Sequence, residues 1–183
     1  MEFGKFYFIK DQYFVDYPDG KLMLNRERDE HGKLHRRPCY YAIQDSKNPE
    51  IYWFVPISKQ VDKFKIHYDK KVQQHGECDT ICFGYVLGTH AAFLIQNMCP
   101  VTDEYVDELY LDSKTNIAVG IKPEMAQEVE RKAKKVLNFY RRGKTFFIFP
   151  DVAKIEAQLM AKINMAKTEV AASKTEAAAA NQE

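Results

Sequence analysis

The chain has 183 residues, 45% of them hydrophobic and 29% charged, with a formal net charge of +1. That length allows one well-buried core with an appended element, in an ordinary globular composition. No apolar run approaches the roughly 20 residues that cross a bilayer, and the opening MEFGKFYFIKDQ is too polar for a secretory signal. A cytoplasmic protein with no membrane association is expected.

In chain order, the first 110 residues read as β-rich. KFYFIKD (5–11) and YFVDYP (13–18) are short aromatic runs, the second ending in a Pro18-Asp19-Gly20 turn. LNRERDEHGKLHRR is polar and reads mostly as loop, with five Lys/Arg from Arg26 to Arg37. PCYYAIQD (38–45) and EIYWFVPI (50–57) form a strand–turn–strand pattern around SKNP. KQVDKFKIHYDKK (59–71) alternates weakly and suits a strand or a basic excursion. CDTICFGYV (78–86) and HAAFLIQNM (90–98) read as buried strands separated by LGT. Short strands joined by turns predict a small, closed or half-closed antiparallel sheet.

From residue 100 onward helices are expected. VTDEYVDELYL shows one-faced helical spacing after Pro100. KPEMAQEVERKAKKVLNFYRRG is the clearest helix, with Pro123 in its first turn, Arg141-Arg142 in its last and Gly143 as its stop. TFFIFP (145–150) suits a last strand or a buried apolar segment. The remainder begins as an amphipathic helix on Val152, Ile155, Leu159 and Ile163 and then becomes Ala-rich. One domain over 1–165 with a tail over 166–183 is expected.

Charge is unevenly placed. Residues 101–112 carry five acids and no Lys or Arg, whereas 113–150 carry nine Lys/Arg against three Glu. Local bias of this kind can steer a polyanion despite a near-neutral total. The cysteines at 39, 78, 82 and 99 lie in or beside apolar runs, and CDTIC has three intervening residues where zinc pairs have two. Reduced, buried thiols are expected, with no metal and no cofactor. The chain has no Gly-rich phosphate loop, HExxH or G-x-S-x-G.

What remains is a group of Ser, Lys, Arg and Tyr at strand ends. Ser58 offers a hydroxyl, and Lys59 and Lys63, with Lys65 close behind, offer ammonium groups for charge on phosphate oxygens. If 38–45 and 50–57 pair around SKNP, Arg36-Arg37 and Ser58-Lys59 fall side by side, where a guanidinium can hold two phosphate oxygens. His90 stands at a strand start. Taken alone, Ser58 reads as a turn serine, Arg36-Arg37 as solvated loop charge and Tyr13 as a core or rim tyrosine. YRRGKTFF (140–147), with Arg141, Arg142 and Lys144 among aromatics, suits single-stranded RNA or a plain folded rim.

Four segments in fixed order carry a resemblance: KFYFIKDQYF, RRPCYYAI, YWFVPISK and GYVLGTHAAFLIQNMCPV. Together they resemble the toxins of type III toxin–antitoxin systems, the ToxN/AbiQ family of endoribonucleases, and look most like the branch named CptN. The resemblance covers roughly residues 5–150. It implies an α+β fold: a compact twisted antiparallel β-barrel of the MazF/Kid (SH3-like) type, elaborated by helices. It further implies a metal-independent endoribonuclease that cuts single-stranded, adenine-rich cellular or phage RNA. The partner implied is a small repeated RNA antitoxin folded as a pseudoknot, which the toxin trims and which inhibits it within a cyclic complex. Phage defence by abortive infection is a common role in that family.

The family's Pro-apolar-Ser-Lys segment matches Pro56-Ile57-Ser58-Lys59. Many members place two hydroxyl residues and a proline before the lysine, so the catalytic lysine is Lys59 or Lys63. The basic residue before the second strand matches Arg36 or Arg37, and the aromatic near the site matches Tyr13. Without a metal the nucleophile must be the RNA's 2′-hydroxyl, leaving a 2′,3′-cyclic phosphate and a 5′-hydroxyl. Lys59 or Lys63 and Arg37 would stabilise the transition state, with Ser58 hydrogen-bonding the phosphate or the 2′-hydroxyl. Tyr13, Arg36, Lys65, His90, Arg141, Arg142 and Lys144 are the expected RNA contacts. The rival reading is a non-catalytic RNA-binding module whose basic surface holds phosphates.

Overall fold

The structure is a computed structural model that describes residues 1–28 and 32–180; His31 and the last three residues of the expected tail lie outside the described residues. The chain divides into two compact units, Met1–Asp151 and the segment from Val152 onward. The second unit is one helix, α4, over Val152–Ala180. The expected boundary at 165/166 falls inside it. Among the described residues no helix is long and apolar enough to cross a membrane.

The first unit is a mixed α+β assembly on an antiparallel sheet. In chain order it contains β1 (Phe6–Ile9), α1 (Asp11–Asp16), β2 (Arg26–Arg28), β3 (Leu34–Arg36), β4 (Cys39–Gln44), β5 (Tyr52–Ser58) and α2 (Val61–His75). There follow β6 (Cys82–Val86), β7 (Thr89–Phe93), β8 (Cys99–Val101), β9 (Val106–Leu109) and α3 (Pro123–Arg141). The main sheet runs β6-β7-β5-β4-β1-β9, with β8 also on β5, while β2 and β3 form a separate ribbon. β6 and β9 end the sheet and are not paired with each other, so strand pairing does not close it into the expected barrel.

β4 and β5 form the expected hairpin, in the register Cys39↔Pro56 to Gln44↔Tyr52. Their near-continuous burial follows from cover on both faces. β5 is shared along its length: Tyr52–Phe54 pair with β8, and Ile57–Ser58 with β7. α3 packs against β4 through a buried stripe that includes Val129, Ala133, Val136 and Leu137. Where it approaches β6, Met125 packs closely on Gly84: a Cβ there would lie 2.9 Å from Met125 Sδ. The β6–β7 turn places Leu87 (φ 49) and Gly88 (φ 77) in the left-handed region, as a tight right-twisting hairpin demands.

Five expectations are corrected. Residues 13–16 are helical, not extended, because the i,i+4 pair Tyr13 and Tyr17 places both rings in one buried aromatic cluster, 5.2 Å apart. Residues 61–75 form α2, whose Phe64, Tyr68 and Val72 share a face against Ile81 and Leu94; it stops at Gly76 in the left-handed region. The 101–109 run is no helix: a 3₁₀ turn at Asp103–Tyr105 leads into β9, and its apolar residues are claimed by sheet pairing with β1. Within the polar 24–37 stretch, Arg26–Arg28 pairs with Leu34–Arg36. TFFIFP holds a 3₁₀ turn at Thr145–Phe147 rather than a strand.

All four cysteines are free and buried. Burial pushes the thiols of Cys82 and Cys99 up to about 12, which keeps them protonated and unreactive at neutral pH.

Candidate active site

The β4–β5 register carries Arg37, two residues before Cys39, to the side of Ser58, two residues after Pro56. Arg37 is 6% exposed. It donates through Nη1 to the Ile57 carbonyl at 2.5 Å and through Nε to the Leu24 carbonyl at 2.9 Å. Its own N–H donates to the Asn25 carbonyl at 2.7 Å. One buried guanidinium therefore ties together the entry to β2, the entry to β4 and the end of β5.

Against this junction lies a cleft of about 950 Å³. One wall is Arg28, His35, Arg36 and Arg37; the end of β5 contributes Ile57, Lys59 and Gln60; the β6–β7 hairpin supplies Leu87 and Thr89. Phe8 and Tyr110, packed edge-to-face at 5.4 Å, add an aromatic surface. No Asp or Glu among the described residues lines it. The cleft is thus suited to an anion carrying planar groups and poorly suited to a cation.

The cations of the cleft differ in availability. Arg36 lies over the Phe8 ring at 4.5 Å and is clamped by Asp107 and by Glu108, the latter at 2.9 Å. The acidic 101–112 stretch, through Asp107 and Glu108 on β9, therefore offsets part of the neighbouring positive charge. Arg28 donates to the Gly32 carbonyl at 2.8 Å. Lys59 is exposed, and its ammonium has no partner among the described residues. A cation that is not already neutralised is what a phosphate would meet there.

Ser58 sits on β5 between Ile57 and Lys59, and strand alternation turns it to the opposite face. It is 3% exposed, and its Oγ accepts the Gln60 N–H at 3.2 Å. Its hydroxyl does not line the cleft; it holds the turn that leads from Lys59 into α2.

The other expected residues are dispersed. Tyr13 is fully buried in α1, its hydroxyl donating to the Pro100 carbonyl at 2.8 Å. Burial raises its phenol well above the ordinary value. It presents no surface to RNA. Lys63 is exposed on α2 with its ammonium 5.7 Å from the Phe64 ring centre, and Lys65 pairs with Asp69 at 3.0 Å. His90, opposite Tyr85 in the β6–β7 register, stacks on that ring at 5.0 Å. None of Lys63, Lys65 and His90 lines the cleft.

Arg141 is a brace. It pairs with Asp45, which also accepts the Trp53 indole N–H at 3.0 Å, and this joins the end of α3 to the β4–β5 turn. Burial by itself would raise the Asp45 pKa; hydrogen bonds from Trp53 and Arg141 outweigh it and hold the carboxyl below its ordinary value. Arg142 and Lys144 are exposed.

Arg28, His35, Gln60 and Tyr110 belong to the cleft without having been singled out from sequence. The signal for the first two was the alternation RER opposite LHR, which pairs as β2–β3 but has no apolar face to mark it as a ribbon.

No family model matches the chain, and no curated protein matches it in sequence. Among solved structures it is similar to AbiQ, described as a lactococcal anti-phage endoribonuclease belonging to the type-III toxin–antitoxin system. The TM-score is 0.58 at 17% identity, over 87% of this chain and 98% of that one. The resemblance read in the four segments is therefore met in three dimensions: this chain shares its fold with AbiQ.

Proposed function

We propose that the chain is an endoribonuclease toxin of the type III toxin–antitoxin kind. The observation that carries this reading is the unpartnered ammonium of Lys59 in an arginine-walled cleft free of carboxylates among the described residues. The shared fold with AbiQ, itself described as an endoribonuclease, supports it.

In this reading a single-stranded RNA enters the cleft with its scissile phosphate at Lys59. The RNA's 2′-hydroxyl attacks the adjacent phosphorus, and the leaving 5′-oxygen departs in line. Lys59 stabilises the charge that grows on the non-bridging oxygens. Arg37 holds the strand ends in place, and Arg36 and Arg28 contact flanking phosphates. Ser58 positions Lys59 through its bond to Gln60, rather than meeting the phosphate. His35 lines the same wall and is a candidate to move a proton, since its imidazole carries one nitrogen that can accept and one that can donate. Phe8 and Tyr110 would take a base by stacking. The inhibitory partner is a small repeated RNA, folded as a pseudoknot, covering this cleft.

Pure protein incubated with a 5′-labelled, adenine-rich single strand, with and without EDTA, tests the proposal. Products ending in a 2′,3′-cyclic phosphate and a 5′-hydroxyl are expected in both. Loss of cleavage in EDTA, or cleavage of a strand carrying a 2′-deoxy sugar at the cut site, would reject the mechanism. A second reading, a non-catalytic RNA-binding module, is favoured by the engagement of Ser58 away from the cleft. Binding of RNA that stays intact would establish it.

A further inference from the structure

We propose that the surface around Phe146 is a stacking platform for an unpaired nucleobase of an RNA strand, separate in its residues from the cleft. The proposal rests on the reading that this protein handles RNA, and it assigns a second contact to that partner.

α3 ends at Arg141, and Gly143 (φ 81) turns the chain into the 3₁₀ segment Thr145–Phe147. This turn builds a ladder of three rings. Phe139 stacks on Phe147 with centroids 5.0 Å apart and planes at 23°, and Phe147 meets Phe146 at 4.2 Å and 35°. The ladder then stops in solvent: the outermost ring, Phe146, is 70% exposed. Two inner rings hold the third in place, so its open face is available to another flat ring at little ordering cost. Lone exposed apolar residues need no explanation, but a fixed ring beside cations is the common element of single-strand binding.

The turn that carries the ladder also carries cations. Lys144 is exposed, with Nζ 5.6 Å from the Phe139 centroid. Arg142 also lines a hollow of about 270 Å³ that includes Ser46, Lys47 and Asn138. The side chains of Lys47 and Arg142 have no ionic partner among the described residues. The carboxylate in that hollow, Asp45, is already held by Trp53 and Arg141. A phosphate could therefore sit at Arg142 and Lys47 while the adjoining base covers Phe146. Every base has a π-face, so such a platform selects single strands rather than sequence.

The test uses a short unstructured RNA oligonucleotide and fluorescence anisotropy at fixed salt, on the full chain. Phe146→Ala should weaken binding about tenfold to a hundredfold. Phe146→Trp should retain affinity, and its surface indole should be quenched on adding the RNA. If the wild type binds but Phe146→Ala binds as well and the indole is not quenched, the platform is overturned while the RNA reading stands. A wild type that binds no RNA overturns both. If Phe146→Ala instead dissolves a dimer seen by sedimentation and leaves RNA affinity unchanged, the patch is a protein interface and the platform falls.

Discussion

Arg37 Nη1 donates to the main-chain carbonyl of Ile57 at 2.5 Å, joining the entry of β4 to the strand end that presents Lys59. The arginine is fastened to backbone on two further sides, so its guanidinium acts first as a rivet and only then as part of a cationic wall. The adjoining lysine has the opposite character, exposed and without a partner among the described residues. This division between a held cation and an available one organises the site.

Truncating the rivet should cost stability as well as activity. Arg37→Ala removes two charge-assisted bonds to carbonyls and should destabilise the fold by about 2–3 kcal/mol. Equilibrium urea unfolding checks this, and an unchanged midpoint would contradict the rivet role.

Lys59→Ala should leave stability within about 0.5 kcal/mol, as is usual for an exposed side chain. Its cleavage rate should fall on the order of a hundredfold, the scale for losing one preorganised charge-stabilising group. Single-turnover cleavage and a urea curve on the same preparation separate the two effects. Full-rate cleavage by Lys59→Ala would move the chemistry elsewhere.

Ser58→Ala leaves the Gln60 N–H without its acceptor and should cost about 1 kcal/mol. RNA affinity should hold, and the cleavage rate should fall less than in Lys59→Ala. A loss as large as that of Lys59→Ala would put the Ser58 hydroxyl in the reaction itself.

Asp45 makes stability depend on pH in a definite direction. Its carboxyl is held below the ordinary value of 3.8 in the folded chain, so the unfolded chain binds the proton more readily. The stabilisation is present above that value and lost as pH falls below it through the folded pKa. Asp45→Asn should cost about 3 kcal/mol at neutral pH, because it breaks a largely buried pair. The difference from wild type in urea unfolding should shrink towards pH 3, and a gap that widens on acidification would contradict the assignment.

Much of this was legible in the residues. The β4–β5 hairpin follows from two apolar runs around SKNP, and the juxtaposition of Arg37 with the Ser58-Lys59 end follows from its register. α3 declares itself through Pro123, its inward stripe and Gly143. Other elements are ambiguous locally. The aromatic 13–18 run and the acidic 101–109 run both carry spacing that fits two states, and each is settled by what it packs against: the Tyr13–Tyr17–Tyr105 cluster for one, β1 for the other.

The core strands, the long helix and the strand end from which the site is built follow from local residue patterns, because apolar periodicity and turn residues act over a few neighbours. Which cations stay available in the cleft is set by long-range packing. Arg36, Arg37 and Arg141 look alike as letters, yet one is clamped by β9 acids, one is spent on backbone carbonyls and one braces Asp45. Lys59 stays available, and Ser58 beside it is turned away by the two-residue pleat of β5. The partner of a charged side chain lies tens of residues away along the chain, and folding alone selects it.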